Sequence, residues 1–328
     1  MRILVTGSAG HLGEGLMRTL RAQGRDAVGL DIAASPFTDL VGSVADRAFV
    51  ERAMAGVQAV LHAATLHKPH VATHGRQDFI DTNVTGTLNL LEAAAAQSVG
   101  AFVFTSTTSA FGDALTPAAG APAAWITEDV VPVAKNIYGA TKTAAEDLCR
   151  LFHRNQRLPC LVLRTSRFFP EPDDDPKLRS VYVDGNIKAN EFLYRRADVQ
   201  DLVEAHLLAI ERAPQIGFGR YILSATTPFT RDDLAELRTD APAVVARHVP
   251  GFETEYLHRG WRMFPGIDRV YVNALARQEL GWQPKYDFAH VLSRLRAGED
   301  PRSPLAQAIG IKGYHAGAYA DELYPVEG

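Results

Sequence analysis

MRILVTGSAGHLGEGLMRTL, residues 1–20, joins an apolar run at Arg2–Val5 to a turn with glycines at Gly7, Gly10 and Gly13, and then to Leu12, Leu16 and Leu20 at helical spacing. A short continuous apolar run that breaks at glycine and resumes with a period near 3.6 predicts a buried strand feeding a helix. Glycines at that junction let backbone N–H groups come within hydrogen-bond distance of a pyrophosphate that any Cβ would hold off, and the helix N-terminus adds partial positive charge. Gly13 also lets the helix pack close on the sheet. The plain alternative is a tight turn without a ligand, but the motif sits in the strand–turn–helix context that dinucleotide binding requires.

Outward from this unit the two periods alternate. A second strand, Ala27–Leu30, is closed by Asp31, 18 residues beyond Gly13. A carboxylate there accepts both ribose hydroxyls of NAD and repels the extra phosphate of NADP, and the neighbouring Ile32 and Ala33 supply no arginine, so NAD is expected. Further strands are expected at Ala59–Leu61, Phe102–Phe104 and Cys160–Leu163, with helices through Val84, Leu88, Leu91 and Ala95 and over Tyr138–Phe152. Apolar strands alternating with helices predict an α/β fold: a doubly wound parallel Rossmann sheet with a smaller, discontinuous C-terminal substrate domain. Residues 1–170 form the NAD-binding part, and a helix at Asp198–Arg212 and a strand at Tyr221–Ser224 return to it within 198–225. Residues 171–197 and 226–328 are assigned to the substrate domain. The tail with Gly310, Gly313 and Gly317 reads equally as a lid, a dimer arm or a frayed end.

Composition narrows the function. The 328 residues are 46% apolar and 22% charged, with 34 basic against 38 acidic side chains and a net charge of −4. No basic field exists to attract nucleic acid or an anionic membrane, and no apolar run is long enough to span a bilayer. A cleaved leader is not expected, because the first strand begins at Arg2. Cys149 and Cys160 are too few for a disulfide framework or a zinc cluster and read as small core residues, which suits a reducing cytoplasm.

Tyr138 and Lys142, four apart at the start of a helix, share a face. Tyrosine is a poor base at its ordinary pKa of about 10; lowering that to about 7 takes roughly 4 kcal/mol, a role for the ammonium and a positive nicotinamide ring. Just before them, the strand at Phe102–Phe104 runs into Thr105-Ser106-Thr107-Thr108-Ser109, hydroxyls at the sheet edge where open α/β folds bind ligands.

Taken in order, TGSAGHLG, Asp31, His62-Ala63-Ala64, NVTGTLNLLEAA from Asn83, FTSTTSAFG from Phe104 and YGATK from Tyr138 resemble the extended short-chain dehydrogenase/reductase superfamily, in its NAD-dependent epimerase/dehydratase branch. The resemblance is close over roughly residues 1–170 and looser through Arg195–Glu211 and Arg269–Pro284. It implies that Tyr138 is the general base or acid, that Lys142 also holds the nicotinamide ribose, and that Thr107 hydrogen-bonds the reacting oxygen. It places Gly7, Ala9, Gly10, His11, Leu12 and Gly13 at the pyrophosphate, Ser43 and Val44 at the adenine, and Ala63 and Ala64 on the cofactor side, and it gives Asn83 a structural and cofactor-side role. It also implies a homodimer built by packing two long helices of each chain into a four-helix bundle.

Departures from that pattern bear on the substrate. The Asp-Glu pair that dehydratases carry after the threonine is here Thr108-Ser109, which leaves no acid/base pair for eliminating water. Arg167 stands where epimerases carry asparagine; it suits a carboxylate or phosphate, or it pairs with Asp173 on the surface. Only Glu171–Tyr194 fill the stretch that usually grips a nucleotide diphosphate, with Arg195 just after it. Thr108, Arg167 and Arg195 are therefore substrate-side candidates. The expected function is oxidation or epimerisation of a secondary alcohol on a sugar or nucleotide-linked sugar. The alternatives are a simple dehydrogenase of a smaller, acidic sugar and a non-catalytic NAD sensor. His67, His70 and His74 have metal-like spacing but no acid or cysteine joins them, so no metal is expected, and Asp173-Asp174-Asp175 reads as a helix start.

Overall fold

The computed structural model describes residues 1–313. In chain order its strands are β1 (Ile3–Thr6), β2 (Ala27–Asp31), β3 (Leu40–Val41), β4 (Ala59–His62), β5 (Ala101–Thr107), β6 (Ala124–Ile126), β7 (Cys160–Thr165), β8 (Phe218–Leu223) and β9 (Arg269–Tyr271). Seven of them form one sheet in the order β3-β2-β1-β4-β5-β7-β8, every neighbouring pair parallel. β6 and β9 make a separate parallel pair. This is the doubly wound sheet that the alternating periods predict.

The strands read as unbroken apolar runs because both faces are covered. Ile3, Val5, Leu61, Val103 and Leu163 face a core closed by helices α1 (His11–Ala22) and, further along the chain, Val199–Ile216. Leu4, Val60, Phe102, Phe104 and Val162 face the opposite core, closed by Gly86–Ala96 and Ile137–Gln156. We call these three later helices α2 (Gly86–Ala96), α3 (Ile137–Gln156) and α4 (Val199–Ile216). Cys149 and Cys160 are buried, unpaired thiols in the second core. The strand order reverses between β1 and β4, and that switch point opens a crevice at the carboxyl ends of the strands.

A third core joins Ile187, Leu193, Leu237, Val244, Phe252, Phe288 and their neighbours into a smaller lobe beyond the sheet. Two segments of 226–328 pack on the sheet side instead of in this lobe. Ala276, Leu280 and Trp282 pack into the sheet-side core, and the Trp282 indole N–H donates to the Asp201 carbonyl of α4 at 2.9 Å. The helix Pro304–Ile309 also lies against α1 and α4. These segments fall within 226–328 yet belong to the Rossmann body, because their apolar side chains complete its outer layer. The strand expected at Tyr221–Ser224 starts three residues earlier, and Glu171–Pro176 ends as the start of a helix at Pro176, capped by Asp175. Gly317 lies outside the described residues.

Candidate active site

A cavity of about 1340 Å³ occupies the crevice. The glycine turn forms one wall. Gly7 has φ +74°, and a Cβ there would stand 2.7 Å from the Ala64 nitrogen; a Cβ on Gly13 would stand 1.9 Å from the Gly7 carbonyl oxygen. Backbone packing thus demands both glycines. Gly10 differs: it is the N-cap of α1 in ordinary extended geometry, and a Cβ would meet only the Gly7 oxygen, at 3.3 Å. The fold tolerates a side chain at Gly10, so the room left there fits a ligand that approaches the backbone closely. Ala9, His11, Leu12 and Gly13 line the same wall.

Asp31 ends β2 with one carboxylate oxygen accepting from the Ala9 N–H at 2.9 Å and the other from the Ala33 N–H at 2.9 Å. A carboxylate has about four acceptor positions, so capacity for ribose hydroxyls remains. Ser43 and Val44 line the far end of the cavity, held by the Asn89 amide on the Val44 carbonyl at 3.0 Å, and Ala63 and Ala64 line its middle. These residues fit a dinucleotide, and their donor set matches NAD.

Asn83 is not on the cavity wall. It is buried in a π-helical turn, Ile80–Thr85, that precedes α2. Its carbonyl accepts from the Leu66 N–H at 2.8 Å and the Thr65 hydroxyl at 2.9 Å, and its amide donates to the Leu66 carbonyl at 2.9 Å and to the Thr141 hydroxyl at 3.0 Å. Asn83 thus ties the loop after β4 to α3 with all of its side-chain polar atoms.

α3 is capped by Asn136, whose side chain accepts from the Gly139 N–H at 3.1 Å, which sets Tyr138 in the first turn facing the cavity. The phenol hydrogen-bonds with Thr107, at the end of β5; burial pushes it up to about 12, while the Thr107 hydroxyl pulls the other way. Lys142 is buried one turn on. Its ammonium donates to the Thr105 carbonyl at 2.6 Å and lies 4.0 Å from the Phe104 ring centre. Burial draws it down to about 7, with Glu146 opposing. Desolvation dominates at both groups, and the ammonium's direct contacts are with the carbonyl and the ring. Behind it, Glu146 accepts from Ser106 at 2.6 Å and takes Arg164 bidentately at 2.7 and 3.0 Å.

The substrate side is rich in charge. Arg167 lines the cavity and is held by Asp173 at 2.8 Å, Asp174 at 3.1 Å and Glu191 at 3.6 Å. Glu191, fully buried, also meets Arg195 and Arg196 at 2.7 Å each. Both readings of Arg167 thus coincide: it faces the cleft and is saturated by acids. Arg195 lines the cavity as expected, and its Nε has no hydrogen-bond partner. Thr108 lines it too. Arg269 and Tyr271, from β9, complete this wall; neither was singled out from the sequence, since a three-residue strand carries no period to show its facing. His67, His70 and His74 also line the cavity, with ring centres 4.5 and 5.2 Å apart in sequence, and His67 stacks on Phe169.

Residues 3–221 match the NAD dependent epimerase/dehydratase family. The chain is 28% identical over 317 residues to the low-salt glycan biosynthesis protein Agl12 of Haloferax volcanii, covering 88% of this chain and 95% of that one. It is 27% identical over 330 residues to UDP-glucose 4-epimerase of Rhizobium meliloti, covering 88% and 94%. Among solved structures, a short-chain dehydrogenase/reductase superfamily protein from Agrobacterium tumefaciens with bound NAD superposes with a TM-score of 0.65 at 24% identity, covering 94% of this chain and 99% of that one; that likeness bears on fold.

Proposed function

The chain belongs to the NAD dependent epimerase/dehydratase family, and from that premise we propose that it oxidises a secondary alcohol on a sugar or nucleotide-linked sugar, with Tyr138 as the proton-transfer group. The observation that carries this reading is the convergence of the Tyr138 phenol and the Thr107 hydroxyl on one cavity wall, across from the glycine turn. NAD, when bound, would supply the hydride acceptor and the positive charge of its ring, and Gly10, Asp31, Ser43 and Val44 would hold it. Thr107 orients the substrate hydroxyl, Tyr138 takes its proton at Oη, and Lys142, behind the phenol, is the cation that stabilises the phenolate. Burial raises the phenol to about 12, so Tyr138 takes the hydroxyl proton only where Lys142 and the positive nicotinamide ring would lower that value; in the reverse direction the same phenol donates its proton to a ketone.

Epimerisation requires oxidation and re-reduction in one site; a dehydrogenase stops after the first step. The family supports the former. One observation favours the latter on an anionic substrate: Lys68, Arg167, Arg195 and Arg196 share Asp173, Asp174 and Glu191, four cations against three carboxylates, and of these Lys68, Arg167, Arg195 and Asp174 line the cavity. Hydride stoichiometry separates the two. With UDP-glucose, an epimerase interconverts sugars with no net rise in reduced-nicotinamide absorbance. With a uronic acid, a dehydrogenase gives one equivalent of absorbance per substrate consumed. Neither change with either class of sugar would refute the proposal. We take residues 171–197 and the third core as the substrate lobe, and the working form as a homodimer; a light-scattering mass near the single-chain 35.7 kDa would contradict the latter.

A further inference from the structure

The last described residues return to the first motif. Past the helix Pro304–Ile309, residues 310–313 have no regular structure, yet they are pinned on two sides. The Lys312 and Gly313 backbone N–H groups both donate to the Glu171 carboxylate at 3.1 Å. The Lys312 ammonium donates to the Ala9 carbonyl at 2.8 Å and to the Glu14 carboxylate. Glu171, in the loop after β7, also meets the His11 Nε2 at 2.9 Å. Burial would raise its pKa, but His11 and the Lys312 N–H hold the carboxylate down to about 2, so it stays an acceptor at all working pH values. Ala9 and His11 belong to the glycine turn, and Lys312 and Gly313 lie on the rim of the same cavity.

An ammonium has three donors. Two are spent on Ala9 and Glu14, and the third has no partner among the described residues. It stands beside the start of α1, where first-turn N–H groups without an intrahelical acceptor form an anion seat. The other cavity-lining cations, Lys68, Lys135, Arg167, Arg195 and Arg269, come from segments other than this turn. We propose that Lys312 is a pyrophosphate-binding residue, brought to the glycine turn by the C-terminal segment, and that Glu171 is the residue that positions it. This rests on the NAD reading above and adds to it a cation from about three hundred residues away in sequence, one that no glycine motif encodes.

Calorimetric titration tests it with three probes: NAD, ADP-ribose, which keeps the pyrophosphate, and adenosine, which lacks it. Lys312→Met, which keeps the apolar stem, is expected to weaken NAD and ADP-ribose about tenfold, near 1.4 kcal/mol, and to leave adenosine unchanged. Lys312→Arg is expected to restore most of the loss, and Glu171→Gln to weaken the same two ligands through a misplaced Lys312. Wild-type binding of NAD and ADP-ribose by Lys312→Met, or an equal loss of all three probes, would overturn the assignment while leaving the NAD reading intact. Failure of the wild type to bind NAD would overturn both.

Discussion

Two glycines three residues apart in one motif do different work. Gly13 is required by the fold: a methyl group 1.9 Å from a carbonyl oxygen cannot be absorbed without moving the turn, so Gly13→Ala is expected to lose at least about 3 kcal/mol of stability. Gly10→Ala meets only one atom at 3.3 Å. It is expected to cost no more than about 1 kcal/mol, the ordinary penalty of alanine at an N-cap, while weakening NAD at least about tenfold. Denaturant melts paired with NAD titrations check this; equal stability losses in the two variants would contradict it. At this scale the sequence was most legible. Tyr138, Thr107 and the glycine turn, each singled out in sequence, all line the cavity. The charge state of Tyr138 was not legible, because it depends on how completely α3 and β5 exclude water, which no motif states. Which part of the expected role of Asn83 dominates was not legible for a related reason: an amide next to a cofactor and an amide bracing a loop look alike until its four hydrogen bonds are seen.

Elements are tied together by buried polar groups. His62, at the end of β4, lies between the Thr6 hydroxyl of β1 at 2.7 Å and the Thr87 hydroxyl of α2 at 2.9 Å. Burial, with Lys142 nearby, lowers its pKa to about 3. Between about pH 6.5 and 3 the unfolded chain binds a proton on this ring that the folded chain refuses, so stability falls as pH falls through that window, by about 1.4 kcal/mol per unit. His62→Gln, whatever its effect at pH 7, is expected to flatten the acid limb by that slope; an unchanged limb would contradict the assignment. Glu146 ties α3 to Arg164 of β7 and Ser106 of β5, and both charges are buried. Glu146→Gln leaves the guanidinium without its counter-charge and is expected to cost about 3–5 kcal/mol, read as a lower denaturant midpoint at constant slope. The long elements were visible because apolar runs and helical periods extend over several residues. β3, β6 and β9 have two or three residues each, too few for any period, and the π turn before α2 breaks the very spacing by which a helix start is recognised.

At the scale of the molecule, one cleft is assembled from both ends of the chain. The glycine turn, the edge of β5, the start of α3, the Arg167 and Arg195 loops, β9 and Lys312 all border a single cavity. The sheet half of that cavity could be read in sequence because its parts come in a fixed order within the first half of the chain. Of the rest, Thr108, Arg167 and Arg195 were legible as candidates, whereas Arg269, Tyr271 and Lys312 reach the cavity only through tertiary packing of short, aperiodic segments. The reading as a whole stands on proton transfer by the phenol at the cavity wall. The most direct test compares wild type with Tyr138→Phe for NAD affinity and for turnover of a panel of uronic acids and nucleotide-linked sugars. The account predicts unchanged NAD affinity with turnover reduced by about 10²–10⁴-fold. Equal turnover by the two proteins would contradict it.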